Sequence, residues 1–137
     1  MIEKAGPQFS GAWLQGAIAF VTRDAERRQA AIARGQRLVA AGAISHNHLH
    51  FHQLAMDAQL RAGDWPGAEG PRPTPLRPIA TSPCPWSRFH VARGRLLAAM
   101  GRGQGDADSE AQLAELRQEA AQVGYPEALF PAAIVGI

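Results

Sequence analysis

Between residues 70 and 85 the chain reads GPRPTPLRPIATSPCP, and six of its ten prolines fall there. Proline removes a backbone donor and clashes with the preceding turn, so no helix is expected to survive this stretch. The rest of the chain reads as helix. Alanine and arginine are heavily used, and no segment shows convincing strand alternation. The segment is adequate as a proline-rich surface loop, but it is long for a compact helical domain.

Around it the apolar spacing predicts helices. In FSGAWLQGAIAFVT, Phe9, Trp13, Gly16, Ala17 and Phe20 form one stripe. The next segment is capped by Thr22 or Asp24 and stopped by Gly42. Its buried side carries Ala25, Ile32, Gly35, Leu38 and Val39, and the small Ala31 and Gly35 allow a neighbouring helix to approach closely. After the proline segment, Ser87 is the expected cap of a helix with Phe89, Ala92, Leu96, Ala99 and Met100 on one stripe. Ser109 and Gln112 have capping-box spacing before Leu113, Leu116, Ala120 and Val123, and Gly124 ends that helix. The tail YPEALFPAAIVGI reads as one last helical turn or a strap. Three helices close on the similar phrases RLVAAG, LRAG and RLLAAMG, and 38 residues separate Gly63 from Gly101. That is near the period of helix-pair repeats, whose hairpins bury both sides only by stacking.

The stretch SHNHLHFHQLAMDA places histidines at 46, 48, 50 and 52. On a strand all four would share one side and invite a transition metal. On a helix, 100° steps split them into the i, i+4 pairs His46/His50 and His48/His52, with two ligands each. Two apolar lines favour helix: Leu49, Met56 and Leu60, and, nearly opposite, Phe51, Leu54, Ala55, Ala58 and Ala62. Ser45 is the expected cap. One polar strip between these lines carries His46, His50, Gln53, Asp57 and Arg61; the other carries His48, His52 and Gln59. No H-E-x-x-H spacing is present, and no cysteine lies near.

Other chemistry is faint. GRGQGDADSE, at residues 101–110, lacks the preceding strand and the Gly-Lys-Ser/Thr ending of a phosphate loop, and the oxygen series of an EF-hand. Ser45, Ser87 and Cys84 sit in no nucleophile signature. Trp13, Trp65 and Trp86 read as packing anchors. The single cysteine excludes an internal disulfide and fits a reducing compartment. At 46% hydrophobic and 19% charged, with net charge +2, the chain reads as globular rather than disordered. Thirteen scattered arginines and one lysine make no nucleic-acid footprint. The apolar run at residues 17–21 is far shorter than the ~20 residues of a membrane span. The opening MIEKAGPQ lacks the order of a signal peptide, so a cytoplasmic location is expected.

Residues 6–65 together with PWSRFHVARGRLLAAMGRG resemble the C-terminal tetratricopeptide-like region of large bacterial adenylate/guanylate cyclase–ATPase proteins. The most specific pieces are SHNHL, AGDW, PWS and ARGR. The resemblance covers residues 6–124 and implies a scaffold or regulatory piece without cyclase chemistry. The chain departs from that pattern at PTPLRPI, residues 73–79, where the family has an alanine- and acid-rich helix of the kind ADALEAY. A one-nucleotide shift of a suitable coding sequence for PTPLRPI reads ADALEAY. Residues 70–84 are therefore read as an off-frame stretch between two compensating shifts, a hypothesis that fails if the coding DNA holds no such alternative frame.

The expectation is an all-α, tetratricopeptide-like helical hairpin array, a short α-solenoid or a fragment of one, in one domain over residues 1–137. Its role would be non-catalytic, serving protein–protein interaction or regulation. His46, Asn47, His50 and Asp57 would form its partner-facing strip, with Arg93 nearby on the next hairpin. No cofactor, nucleic acid or membrane is implied, and truncated solenoid ends favour self-association. The rivals are a small metal-binding protein using the His46–His52 cluster, with His46 and His50 as ligands, and a nonfunctional remnant of a split cyclase–ATPase gene.

Overall fold

Asp24 decides where the second helix begins. Its carboxylate accepts the Arg27 N–H at 2.8 Å, satisfying one of the donors that a helix start leaves open. The computed structural model that shows this describes residues 6–41, 47–70 and 85–135. Among the described residues the secondary structure is helical and no strand is present. Two compact units are formed, Met1–Arg61 and Ala62–Ile137, and each is described by itself.

The first unit holds α1 (Gly6–Val21), α2 (Ala25–Ala40) and most of α3 (Asn47–Ala62). A three-residue link joins α1 to α2, and the two pack together as a helical hairpin. The core joins Ala12 and Ala19 of α1, Ala31 and Ile32 of α2, and Phe51, Ala55 and Ala58 of α3. Small residues are what let three backbones come this close. A Cβ on Gly35 would stand 2.0 Å from the Phe51 ring, so that ring occupies the notch the glycine leaves in α2. On α1, Gly16 meets the backbone of Phe51 and the Cβ of Leu54 in the same way. Arg61 then ties α3 to the end of α1. Its guanidinium donates to the Phe20 carbonyl at 3.2 Å and lies 4.7 Å from the centre of the Phe20 ring.

The buried line of α1 is Ala12, Gly16 and Ala19, displaced from the expected stripe, and Trp13 is exposed. On α2, Ile32 and Gly35 are buried as expected, Leu38 and Val39 are half-buried, and Ala25 is exposed. The expected stop at Gly42, the cap at Ser45 and the side chain of Phe9 lie outside the described residues.

The second unit opens at Gly63, whose φ of +72° turns the chain out of α3. Asp64 caps α4 (Trp65–Glu69) through the Gly67 N–H, and Pro66 sits in its first turn, where a missing N–H costs nothing. The indole of Trp65 lies across the end of α5 (Pro85–Gly101), where a Cβ on Gly101 would be 2.5 Å from the ring. Glu69 and Arg102 form an ion pair beside it. A five-residue link leads to α6 (Ala107–Val123), and a 3-10 turn (Glu127–Leu129) and α7 (Ala132–Val135) follow. The tail is a strap as well as a last turn: the 3-10 turn packs on α6 and α7 packs on α5.

Two helix starts differ from expectation. Asp106, three residues before Ser109, caps α6 by accepting both the backbone N–H and the hydroxyl of Ser109 at 2.8 Å. Gln112 instead donates to Asp108. α5 begins at Pro85, which places Ser87 inside the first turn rather than at the cap. The proline segment at 71–84 lies outside the described residues. No helix among the described residues is long and apolar enough to cross a membrane.

Candidate functional site

α3 carries the histidines because its apolar residues fix its phase. With Phe51, Ala55 and Ala58 turned into the core, positions 48 and 52 fall one turn apart at its edge. His48 is half-buried and His52 is exposed. Their rings meet edge to face with centroids 6.5 Å apart, and the His52 ring also lies 5.3 Å from that of Phe51. His52 accepts a proton less readily than an ordinary histidine. The larger cause is partial withdrawal of its ring from water, and the second is the like charge of a protonated His48.

His50 is exposed, and Asp57, two turns further on, is half-buried. His46 and the side chain of Asn47 lie outside the described residues. Among the described residues no three histidine, cysteine, aspartate or glutamate side chains converge as metal ligands would.

Arg93 corrects the sequence reading. It is wholly buried rather than on an open strip, and its Nη1 donates to the Leu129 carbonyl at 2.7 Å. The 3-10 turn presents that carbonyl to α5 from 36 residues away, so the arginine fastens the tail to α5. Around this contact lies an aromatic group that the sequence reading left aside. Trp86 and His90 lie 4.2 Å apart, Phe89 and Tyr125 5.0 Å, and Phe89 meets Phe130 edge to face at 6.4 Å. His90 is buried among Trp86, Phe89 and Tyr125. Arg117 closes the far side over the Phe130 ring and pairs with Glu127 at 3.0 Å. The available signal was spacing: Trp86, Phe89, His90 and Arg93 recur at three and four residues along one helix side.

Among the described residues of the first unit, the exposed large apolar side chains belong to α1. Trp13 is 45% exposed, Leu14 50%, Ile18 39% and Val21 73%. These positions recur at i, i+1, i+5 and i+8 and share one side of the helix. α1 contains no charged residue along its 16 positions. Comparison with known proteins finds no matching family model, no matching curated protein and no matching solved structure.

Proposed function

We propose that this chain is a non-catalytic, tetratricopeptide-like helical scaffold that works by protein–protein association, a second copy of itself included. The observation that carries the reading is the open side of α1, where Trp13, Leu14, Ile18 and Val21 face water without an intervening charge. Single exposed apolar residues are ordinary, but a contiguous set on one helix side favours a partner surface. A second copy suits it in charge and in shape. The face carries nothing that would repel itself, and its small centre at Ala17 lies between bulky Trp13 and short Val21. Two such helices crossing antiparallel would set the indole of one over the valine of the other.

The α1–α2 hairpin and the small residues that seat α3 on it support the repeat part of the reading. So does the likeness of the sequence to the C-terminal region of cyclase–ATPase proteins, which implies a regulatory rather than a chemical role.

The test is sedimentation velocity of the full chain over a concentration series. The wild type is expected to associate, and Leu14→Glu/Ile18→Glu to remain monomeric with unchanged helix content. A wild type that stays monomeric to ~0.1 mM, where binding is worth under about 5.5 kcal/mol, removes the second copy as occupant. An association that the double substitution leaves unchanged removes α1 as the surface.

A further inference from the structure

We propose that His48 and His52 form a two-imidazole chelate for a divalent transition-metal ion of the copper, nickel and zinc class. They stand one turn apart on α3, a spacing that aims both side chains at the same point beside the helix. Their ring centroids are already 6.5 Å apart. Two nitrogens bound to one ion at ~2.0–2.1 Å each stand no more than about 4 Å apart. One nitrogen of each ring can lie nearer its neighbour than the centroid does, so a modest side-chain rotation closes the gap. His52 is exposed and has room for it, while His48 is half-buried and holds its place.

Imidazole nitrogen suits copper, nickel and zinc and not magnesium or calcium. Two ligands leave the remaining positions to water, which makes this an open site on the surface rather than a structural one closed by protein.

Phase separates this pair from the rival. His50 falls on the other polar strip of α3, so a substitution there tests the rival without touching this pair.

The experiment is calorimetric titration of the full chain, purified without an affinity tag, with Cu2+, Ni2+ and Zn2+ separately. One ion per chain is expected, tightest for copper, in keeping with the usual order of divalent stabilities. His48→Ala, His52→Ala and the double substitution should each raise the apparent Kd by at least about tenfold, or ~1.4 kcal/mol, and to the same level. That equality marks a chelate, in which either imidazole alone is a poor ligand. His50→Ala should leave the titration unchanged. Helix content without metal, read by circular dichroism, should match the wild type in every variant. Failure of the wild type to take up one ion, or loss of uptake with His50→Ala in place of the His48 and His52 variants, overturns the proposal.

Discussion

A hydrogen atom in place of a side chain sets the geometry of the first unit. Alanine at 35 would ordinarily strengthen a helix by about 1 kcal/mol over glycine. Here its Cβ would lie 2.0–2.7 Å from three atoms of the Phe51 ring, far inside contact distance. Overpacking of this kind costs about 1–3 kcal/mol. Gly35→Ala should therefore lower the midpoint of thermal unfolding. In a Phe51→Leu background, where the ring is gone, the same change should be harmless or stabilising, and a double-mutant cycle measures that reversal. If Gly35→Ala stabilises the wild-type background, the notch does not exist. Arg93 is the corresponding residue of the second unit. A charged residue is expected at the surface from sequence alone, and the Leu129 carbonyl, remote in the chain, gives it a reason to be inside. Arg93→Ala should cost about 3 kcal/mol in denaturant unfolding, from a truncated buried side chain and a carbonyl left without this donor. That partner was illegible in the sequence because nothing local links residue 93 to residue 129.

Helix ends show which parts of an element local chemistry decides. Asp24 was legible because an acid three residues before a helical N–H is itself the signal. At α6 the capping-box spacing points to Ser109, but Asp106 is the cap, because its carboxylate takes two donors from Ser109 at once. Those hydrogen bonds, from the backbone first and the hydroxyl second, hold the Asp106 carboxyl below the usual carboxylate range. A depressed folded-state pKa means stability that is present above the ordinary carboxylate pKa and lost as pH falls through the lower, folded one. The protection factors of amides in the first turn of α6, which are the intrinsic rates at each pH divided by the exchange rates, should consequently fall on acidification in the wild type. Asp106→Asn should remove that dependence, and an unchanged acid response would dismiss Asp106 as its source. The C-terminal ends teach a different lesson. Gly103, two residues past the end of α5 and with φ +75°, turns the chain away, and the Gln104 and Gly103 N–H groups donate to the carbonyls of Ala99 and Met100. α6 ends likewise at Gly124, through Tyr125 to Ala120 and Gly124 to Ala121. Gly101, the last residue of α5, does not make that turn; it makes room for the Trp65 indole. The 38-residue spacing from Gly63 to Gly101 thus joins two glycines with different work, one a helix stop and one a packing notch. Sequence shows that a glycine is present and not which of these it does.

Across the whole chain, helix was legible because alanine-rich stretches without strand alternation leave little else. The face that α1 buries was not. Its 16 residues contain no charge, and Gln15 is half-buried, so no strongly polar position marks the water side and sets the phase. The core chose the narrow line Ala12, Gly16 and Ala19, since only small residues admit α3, and the bulkier Trp13, Leu14, Ile18 and Val21 were turned outward. The open apolar side is thereby a consequence of close packing within the first unit. It also fixes how association through it responds to solution conditions. Contacts between charged surfaces weaken as salt shortens the screening length from about 10 Å at 0.1 M to about 3 Å at 1 M. An interface made from uncharged apolar side chains has no such term, and salts excluded from protein surfaces strengthen it. The dimerisation constant of the full chain should hold or tighten from about 0.1 to about 1 M sodium sulfate-adjusted ionic strength. Its association should carry a negative heat-capacity change, the mark of apolar burial. An affinity that falls steeply with salt would instead place the contact on the arginines of α2, where Arg23, Arg27, Arg34 and Arg37 are exposed on or just before the helix.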